Sequence, residues 1–561
     1  MKKVFILALI IFYFCSTGEA ENYYAAVNGS STASGSIAFP WDIKTAFTAR
    51  NIIRAGDTLW LRGGRYFGSD LVQDVAAFRC ELEGSKLKPI VVISYPGEIA
   101  ILDGGNRTHP VPPDPNLDSY TLGILGSYVH FVSIEIINSN PHARSDSLAR
   151  FKWRVRAVLT TAVKGFKLIN SIIHDTGNGI ESFVSCEECE YYGNIIFNNG
   201  WSHLGVRGHG EGIYSQNRYG WKLISENIIF NQFDNGLILY GSRDAFVDSF
   251  KLEGNVVFQN GIINDNPNGW GFLLGKNGGG TRANYFEIRD NFFYNRFDYL
   301  RSNNLDLGYQ SGMNQLILEN NYSVGRNPVK YNIPIDNLTA NGNTFVGELQ
   351  NVALEQMNNG QNTIHSLQNL PNVNQVFLRP NFYESGRAHI IVYNWEDKDE
   401  IDILLDHLGL SEGDEFEIMD VQNIFGPSVR IESYKPGNKI NLPLKLTSVT
   451  QVIGDAVPRK ALHTESLFNV FLVRKTKQAV SNKIDQTKFG QLAEVFWNDE
   501  TMTVQFKTSG VYKLEVFNAE GKQLFVQDCI GDSLQFNLPR NQIYFLILND
   551  GKQVQRIKAG L

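Results

Sequence analysis

The sequence predicts an all-β protein whose largest part is a solenoid of short strands. The first observation is a pattern that recurs between about residues 166 and 345. A short apolar strand, an Asn and a second apolar strand follow one another, as in LISENIIF at 223–230 and LEGNVVF at 252–258. The second observation is the spacing of these asparagines, which lie 33, 28, 36, 30 and 22 residues apart. Repetition at about 20–50 residues is the sequence signature of a solenoid. The asparagines are Asn194, Asn227, Asn255, Asn291, Asn321 and Asn343.

Length and charge limit the kinds of protein to consider. A chain of 561 residues is too long for one hydrophobic core, so several domains are expected. The net charge of −7 is small for this length and gives no electrostatic reason to expect nucleic acid as a partner. It is compatible with a local basic groove for an anionic polysaccharide.

The first twenty residues have the features of an export signal. Two lysines precede an apolar run at residues 4–14, and Gly18 and Ala20 offer a cleavage site. The run is too short to span a bilayer, and no later stretch is long and apolar enough. We therefore expect a signal peptide over residues 1–20 and a mature protein that is secreted or held at the cell surface, without insertion into the membrane.

Residues 22–105 are predicted to begin and cap the solenoid. A strand is expected at 23–27, and Asp42 is placed to cap a helix from residue 43 to residue 53, whose apolar positions recur at helical spacing. A helix over the first coil would cover the core and the strand edges that an open solenoid end exposes.

Two short motifs connect this opening to a known fold. The segments GDT at 56–58 and LDGG at 102–105 resemble the start of right-handed parallel β-helix proteins of the pectin-lyase-like superfamily, and the asparagine repeat agrees. The resemblance implies a right-handed parallel β-helix over residues 21–370. We expect the stacked asparagines to hydrogen-bond along its axis and to satisfy backbone groups at tight corners, which is a structural role.

Beyond about residue 371 the repeat stops and another β pattern begins. Strands are predicted at 388–395, 415–419 and 468–473 with turn signals between them, which is typical of a β-sandwich. The segment at 420–427 (DVQNIFGP) resembles a loop of accessory β-domains that follow β-helix or glycosidase domains. The sequence therefore predicts a β-sandwich accessory domain over residues 371–475.

A linker over residues 476–489, rich in Lys and Gln, precedes the last segment. Residues 490–561 alternate as a small β-domain with a hairpin turn at 549–552. The Gly-x-Tyr strand, the Gly-Lys turn and the basic terminal strand resemble the C-terminal sorting domain of the Bacteroidota type IX secretion system. The resemblance implies that this segment is an export address recognised by secretion machinery. A further sandwich module is the alternative.

The cysteines give no sign of a zinc site. Cys186 and Cys189 form a lone CxxC without a second pair at metal-ligand spacing. We interpret them as two thiols at strand ends that could form a disulfide in an oxidising compartment.

The densest polar cluster lies at residues 201–217 (WSHLGVRGHGEGIYSQN). Its histidines, arginine, carboxylate and tyrosine suit sugar chemistry, and its glycines let a ligand approach the backbone closely. The repeat aligns this cluster with its neighbours: Asn178, Glu211, Asn235 and Trp270 occupy equivalent places on successive coils. Adjacent strands lie about 4.8 Å apart, so these side chains should share one surface.

The same register adds a second column of side chains and a second carboxylate. Glu181, Tyr214 and Ile238 are expected to form that column, and Asp234 should stand beside Gly210, one coil from Glu211. The candidate catalytic residues are His209, Glu211 and Asp234. The candidates for substrate binding are His203, Arg207, Tyr214, Gln216, Asn178, Glu181, Asn235, Tyr240, Arg243, Trp270 and Lys276.

Two reactions suit these groups. In glycoside hydrolysis, one carboxyl group protonates the leaving oxygen and the other acts as base or nucleophile. In polysaccharide lysis, a base removes the proton α to a uronate carboxylate while cations stabilise the resulting enolate. GHG at 208–210 resembles the Gly-His-Gly of polygalacturonase-type hydrolases, but the accompanying Asp-Asp pair and Arg-Ile-Lys motif are missing, so that mechanism is not carried over.

Less specific interpretations stay open. The cluster could be a solvated face, Asp234 a turn residue, and Arg243 a member of a surface ion pair. No metal site and no cofactor are expected, although Asp265 and Asp298 could help to bind calcium. The favoured function is that of a monomeric, secreted enzyme that cleaves a polysaccharide in a groove along the helix. A non-catalytic glycan-binding or adhesion protein is the alternative, and a purely structural solenoid is the third.

Overall fold

The computed structural model describes residues 20–68, 76–105, 120–140, 155–203, 207–242, 244–264, 271–276, 282–299, 303–331, 333–349, 351–406, 408–454, 457–477, 493–498, 501–518, 523–537, 544–549 and 554–559. These fall into two compact units, residues 1–479 and residues 480–561, which are described separately. The predicted signal peptide lies outside the described residues, apart from Ala20. No described helix is long and apolar enough to cross a membrane.

Three parallel sheets wind around one core and form the β-helix. Each sheet receives one strand from almost every turn of the coil, and we call one such level a rung. Sheet A consists of Asn22–Ala25, Thr58–Leu61, Ile90–Ser94, Val129–Val132, Lys167–Ile169, Glu190–Tyr192, Lys222–Ser225, Asp248–Glu253, Asn284–Arg289, Gln315–Glu319 and Asn337–Asn341. Sheet B consists of Gly64–Phe67, Ala100–Asp103, Glu135–Ile137, Ile172–His174, Ile195–Phe197, Ile228–Phe230, Val256–Phe258, Phe292–Tyr294, Tyr322–Val324, Thr344–Val346 and Thr363–His365.

Sheet C has eight strands and carries the cluster of candidate residues. It consists of Ala76–Cys80, Tyr120–Ile124, Arg156–Thr160, Ile180–Ser182, Ile213–Ser215, Leu237–Gly241, Phe272–Lys276 and Leu305–Tyr309. One antiparallel hairpin, made of Trp201–His203 and Arg207–His209, leaves the coil between sheets B and C. The predicted fold class, an all-β protein built on a right-handed parallel β-helix, is confirmed.

The asparagine repeat forms the predicted ladder along the axis. Asn255 illustrates it: its Nδ2 donates to the Ile224 carbonyl (2.7 Å) and to Oδ1 of Asn291 (2.9 Å). Its own Oδ1 accepts from the backbone N (3.1 Å) and Nδ2 (2.9 Å) of Asn227. The ladder continues one rung beyond the predicted set to Asn362. Each amide therefore satisfies backbone and side-chain groups of its neighbours at a buried corner.

The capping helix is shorter than predicted. Asp42 caps it as expected, accepting from the Thr45 backbone N (2.9 Å), but the helix spans only Ile43–Thr48. Ala49 leaves the helical conformation, and Asp57 accepts from the Arg54 backbone N (2.7 Å), which turns the chain toward the second strand of sheet A. The prediction of a helix to residue 53 was therefore wrong. The helix still packs on the core of the coil, because Phe47 contacts Phe131 at 5.7 Å between ring centroids.

A smaller β module follows the helix Asn351–Met357 and packs against sheet B. Its five-stranded antiparallel sheet contains Gln375–Pro380, Ala388–Tyr393, Phe468–Lys477, Glu415–Asp420 and Arg430–Ser433. A two-stranded sheet, Glu400–Leu404 and Lys439–Pro443, shares a second apolar core with it, and a 3-10 turn spans Val421–Asn423. The predicted start of this domain at residue 371 falls between the last strand of sheet B and the first strand of the module.

The C-terminal unit contains five antiparallel strands. They are Ala493–Asn498, Thr501–Asn518, Gln523–Asn537, Tyr544–Asn549 and Val554–Ala559. Asn549 pairs with Val554, as expected for strands joined by the predicted hairpin. In the larger unit, Cys186 and Cys189 form a disulfide.

Candidate functional site

The outer face of sheet C carries an open cleft of about 480 Å³. Its lining runs from the strand Arg156–Thr160 to the strand Leu305–Tyr309, across six successive rungs. Five steps of about 4.8 Å make it about 24 Å long, and its volume is in the range of ligand sites. Eight residues predicted from the sequence line it: Asn178, Glu181, His209, Glu211, Tyr214, Asp234, Asn235 and Tyr240.

The predicted register of the rungs is confirmed. Ile180 pairs with Ile213, Ile213 with Leu237, and Leu237 with Phe272, so the residues before and after them also align. The Gly179 backbone N donates to the Glu211 carbonyl (2.9 Å), and the Gly212 backbone N donates to the Asn235 carbonyl (3.1 Å). The three carboxamide and carboxylate side chains at positions 178, 211 and 235 therefore share one column.

Close backbone packing explains the glycine that follows each of these polar residues. A Cβ added at Gly212 would lie 2.5 Å from Cγ2 of Ile229 and 2.6 Å from the Gly236 carbonyl oxygen. No larger residue fits there without moving the neighbouring rung. The glycine column therefore fixes the turn that directs Glu211 outward into the cleft.

His209 reaches the cleft from the hairpin. Gly200 and Gly210 stand at its base with φ angles of 111° and 110°, and a Cβ added at Gly210 would lie 2.2 Å from Cα of Gly200. The rings of Trp201 and His209 are stacked, with centroids 5.2 Å apart and an interplanar angle of 10°. Both rings line the cleft, so the hairpin holds the imidazole on the same side of the sheet as Glu211.

The second carboxylate enters from the next rung, as predicted. The Asp234 backbone N donates to the Gly210 carbonyl (3.2 Å). Asp234 therefore lies on the next rung, directly beside the turn that carries Glu211. Asn178 Oδ1 accepts from the Glu211 backbone N (3.1 Å), which fixes this turn from the other side. His209, Glu211 and Asp234 are thus brought together in one cleft.

Glu181 anchors the floor of the cleft. It is 2% exposed and accepts from the Tyr120 hydroxyl (2.5 Å), from Asn178 Nδ2 and from Arg156 Nε (3.1 Å). Arg156 also donates from Nη1 to the Tyr120 hydroxyl (3.2 Å). Glu181 was predicted to bind substrate, but its contacts instead hold Arg156 and Asn178 in position. The ion pair and the hydrogen bond hold the Arg156 guanidinium in a fixed position at the cleft, where its planar group of donors can meet a ligand carboxylate.

Tyr214 is a neutral hydrogen-bonding group of the cleft. Burial raises the pKa of Tyr214, and the negative charges of Glu211 and Glu181 add to the effect. Gln216, which is buried, donates from Nε2 to the Tyr214 hydroxyl (3.0 Å) and to the Tyr240 carbonyl (3.2 Å). Gln216 therefore supports the lining from behind and does not belong to the lining itself.

Aromatic side chains close the far end. The Tyr240 hydroxyl donates to Oε1 of Gln310 (3.3 Å), and the Tyr240 ring lies 6.2 Å from that of Tyr309. Burial raises the pKa of Tyr240, and the neighbouring Tyr309 contributes. One end of the cleft is therefore aromatic, while Arg156 supplies positive charge at the other.

One predicted residue points away from the cleft. Lys276 is 1% exposed, and its Nζ lies 4.9 Å from the ring centroid of Phe246. It pairs with Gly241, one position after Tyr240, and strand alternation therefore turns it to the opposite side of the sheet. The prediction that Lys276 contacts substrate in this cleft was wrong. Arg243 and Trp270, and the side chains of His203 and Arg207, lie outside the described residues.

Sequence reasoning missed four residues that build the site, namely Tyr120, Arg156, Tyr309 and Gln310. Their rungs lie at the ends of the cleft, where no Asn-Gly or Glu-Gly pair marks the alignment. Extending the register from Ile180 back to Val158 and Leu122 would have placed Arg156 beside Tyr120.

Metal binding gains no direct support within the described residues. No group of three or more His, Cys, Asp or Glu side chains there is arranged to hold a metal ion. Asp298, one of the two predicted calcium ligands, is paired with Arg296 (3.1 Å), and Asp265 lies outside the described residues. Calcium binding stays a prediction.

A parallel β-helix with one polar, partly aromatic cleft along a sheet is the class of protein that the fold and the site define. The family profile "Pel9A-like, right handed beta helix region" matches residues 23–351, which is more than half of the chain. The protein belongs to this family of right-handed β-helix proteins. No curated protein sequence matches the chain.

Several solved structures have a similar fold. The pectate lyase Pel9A is 17% identical, with 58% of this chain and 80% of that chain covered and a TM-score of 0.42. A rhamnogalacturonan lyase is 14% identical, with 63% and 89% covered and a TM-score of 0.40. PfbA, a surface adhesin of Streptococcus pneumoniae, is 9% identical, with 58% and 84% covered and a TM-score of 0.36. At these values the similarity concerns the fold alone.

Proposed function

We propose that the protein is a secreted polysaccharide lyase that cleaves a uronate-containing polysaccharide in the cleft on sheet C. The observation that carries the proposal is the meeting of His209, Glu211, Asp234 and Arg156 in one cleft. Membership of the Pel9A-like family supports it, because Pel9A itself is described as a pectate lyase.

The reaction requires three groups. A base removes the proton on the carbon α to the uronate carboxylate, and the electron pair forms a carbon–carbon double bond as the glycosidic C–O bond breaks. The leaving oxygen takes a proton, so the products are an unsaturated uronide and a new chain end. His209 is proposed as the base, Arg156 as the group that neutralises the carboxylate, and the neutral Tyr214 hydroxyl as the proton donor.

The two carboxylates of the cleft must be reconciled with an anionic substrate. Glu211 and Asp234 would repel a uronate unless a proton or a cation neutralises them. Carboxylate and amide oxygens are ligands that calcium accepts, so activity should be measured after chelation with EDTA and again with added calcium. Loss on chelation with recovery by calcium supports a role for the cation, and unchanged activity supports neutralisation by protons and Arg156.

The same pair of carboxylates favours a second candidate function, glycoside hydrolysis. Glu211 and Asp234 stand on adjacent rungs and line the same cleft, and a pair of carboxyl groups is what glycosidases use as acid and as base or nucleophile. A neutral glycan would meet no repulsion from this pair. Product chemistry separates the two, because only the lyase produces an unsaturated uronide that absorbs ultraviolet light.

The decisive test is a panel of polysaccharides with product analysis. We expect His209→Ala, which removes the proposed base of the lyase, to lower kcat about 10²–10⁴-fold, the usual contribution of a positioned acid or base. Glu211→Gln should lower kcat to the same extent where the reaction is glycoside hydrolysis, in which Glu211 is one of the two carboxyl groups. Glu355→Gln is the matched control, because Glu355 is exposed on the helix Asn351–Met357, away from the lining of the cleft. Full activity in both cleft variants would refute the assignment. Binding without any product would support the non-catalytic alternative.

Export is part of the proposal. The N-terminal signal and the sorting-like C-terminal segment motivate it, and a chain ending at residue 479 keeps the larger unit complete. We expect this truncated chain to stay inside the producing cell or in its periplasm, while the full chain reaches the medium or the surface. Equal distribution of both chains in cell fractions would contradict a sorting role. A monomer is expected, and gel filtration with light scattering tests it.

A further inference from the structure

A second group of aromatic side chains lies where the chain passes from sheet C to sheet A. Tyr219, Trp221 and Tyr285 are 54%, 38% and 53% exposed, and none of them lines the cleft. We call these three residues the aromatic ridge. Large aromatic side chains that remain this exposed in a group are commonly found at binding surfaces.

The ridge follows the axis of the β-helix. Lys222 pairs with Phe250, and Phe250 pairs with Phe286, so the residues immediately before them occupy equivalent positions. Trp221 and Tyr285 are therefore two rungs apart, with Ser249 between them. At about 4.8 Å per rung, the two rings are spaced about 10 Å apart along the axis. This spacing suits a linear polymer with a short repeat better than a compact ligand.

Two cations hold the ridge in place. The Arg218 guanidinium lies between the rings of Tyr219 and Phe246, at 4.8 and 4.5 Å from their centroids. Lys251 Nζ lies 4.6 Å from the centroid of Trp221 and is ion-paired with Glu287 (3.4 Å). Cation–π contacts of this kind order the rings of Tyr219 and Trp221, and Arg218 places a positive charge beside them, on a chain whose net charge is −7.

The turn that leads from sheet C to sheet A does not itself require exposed aromatic rings. Tyr128 occupies the position equivalent to Tyr285 several rungs earlier, and both have a left-handed φ (55° and 60°). The Tyr128 ring packs over Gly165, where an added Cβ would lie 2.4 Å from it, so this ring is half-buried. Tyr285 at the same kind of corner stays exposed. The left-handed backbone therefore belongs to the fold, whereas the exposure is particular to the ridge.

We infer that the aromatic ridge is a second binding site for the polysaccharide, separate from the cleft. Sugar rings would stack their C–H faces on Trp221 and Tyr285, while carboxylates of the chain meet Arg218. The site would hold a long chain on the protein while another segment occupies the cleft. The inference takes its ligand class from the proposed function, but the binding does not require cleavage.

The test compares polymer and short substrates. The wild-type protein and the double variant Trp221→Ala/Tyr285→Ala are run in native gels that contain polygalacturonate, and KM is measured on polygalacturonate and on its short oligosaccharides. We expect the double variant to lose retardation in the gel and to raise KM on the polymer about 4–100-fold, because each aromatic contact contributes about 2–10-fold. KM and kcat on short oligosaccharides should stay unchanged.

Controls separate this inference from the proposed function. Phe39→Ala removes an exposed aromatic ring outside the ridge (67% exposed) and should keep retardation, and Trp221→Tyr should restore most of it. His209→Ala should lower cleavage about 10²–10⁴-fold and keep retardation. Unchanged retardation and unchanged polymer KM in the folded double variant would overturn the ridge while leaving the cleft intact. If the protein cleaves nothing but its retardation still depends on the ridge, the result would support the ridge and refute the proposed function.

Discussion

The outer faces of sheets B and C belong to the same coil but have opposite chemistry. On sheet B, outward positions repeat one kind of residue from rung to rung, as in Phe197, Phe230 and Phe258, whose rings stack at 5.1 and 4.9 Å. On sheet C, the outward column mixes different kinds of residue, with Leu159, Glu181, Tyr214 and Ile238 on successive rungs. Because both faces have the same backbone geometry, the difference reflects what each face must meet.

The repeated apolar face is covered and the varied face is open. Sheet B shares an apolar cluster with the β module, to which the module contributes residues such as Tyr393, Phe468 and Leu472. The outer face of sheet C carries the open cleft. A constant apolar column thus indicates a surface that another part of the chain buries, and a changing polar column indicates a surface that remains available for a ligand.

The largest expected effect comes from opening the covered face. Phe230 is 1% exposed and stacked on both sides, so Phe230→Ala should lower the free energy of unfolding by about 3–5 kcal/mol in chemical denaturation. Phe67→Ala, at a 64% exposed position, should change it by less than about 0.5 kcal/mol. A small loss of unfolding free energy in Phe230→Ala would show that the module packs only loosely against sheet B.

A buried ion pair at the edge of this interface gives the next effect. Arg379 pairs with Glu226, which is 7% exposed, and burial raises the pKa of Glu226 even though Arg379 opposes the rise. Arg379→Met should therefore cost about 3–4 kcal/mol near neutral pH, because it leaves a buried charge unpaired.

The pH dependence of that variant has a defined sign. Without Arg379 the pKa of Glu226 rises further, so the loss of stability grows as pH rises through the unfolded pKa and shrinks in acid, where Glu226 takes up a proton. The double variant Glu226→Gln/Arg379→Met removes the buried charge and should lack this extra pH dependence. Denaturation curves at a series of pH values test both statements.

His174 makes the covered face sensitive to alkaline pH. Burial lowers its pKa, but hydrogen bonds to Asp175 (2.8 Å) and Glu135 (3.3 Å) outweigh burial and raise the pKa to about 9. The imidazole also stacks on Phe197 and contacts Phe425 of the module, and Asp175 accepts from the Ile453 backbone N. The charged imidazole therefore bridges the carboxylates of Asp175 and Glu135, at the surface of the coil that the module covers.

A raised folded pKa stabilises the protein fully below the unfolded pKa of about 6.5 and loses that effect as pH rises through about 9. We expect stability to fall by about 3 kcal/mol across this window from His174 alone. His174→Gln should be less stable near pH 6 and should lack this part of the decline. Identical pH profiles for the two proteins would contradict a charged His174.

Periodicity explains why much of the fold could be predicted. Each Asn of the ladder reports one turn of the coil, so a single alignment also gave the columns that carry Glu211 and Tyr214. The helix end at Thr48 was missed because it depends on Asp57 turning the chain, a contact that helical spacing does not encode.

The orientation of Lys276 and the partners of Glu181 depend on local contacts that the repeat in the sequence does not encode. Lys276 lies at the end of a five-residue strand, where one extra position turns a side chain inward. The anchor of Glu181 is Tyr120, 61 residues earlier and outside the recognised repeat. The repeated Phe and Ile positions of sheet B were a readable sign of a docked module, but the residues that cover them lie far along the chain. Phe258, for example, packs on Phe468, which follows 210 residues later.

The smallest expected effect on stability concerns Tyr240, on the open face of sheet C. Tyr240→Phe removes only the hydroxyl that donates to Gln310, a contact in an exposed part of the cleft. Stability should change by less than about 0.5 kcal/mol, while KM for the polysaccharide should rise about 2–10-fold, since one hydrogen bond to a ligand is at stake. Thermal unfolding and steady-state kinetics on the same preparation measure both. If Tyr240→Phe lowered stability as Phe230→Ala is expected to do, the open face of sheet C would be part of the packing, and variation from rung to rung would no longer distinguish a binding face from a buried one.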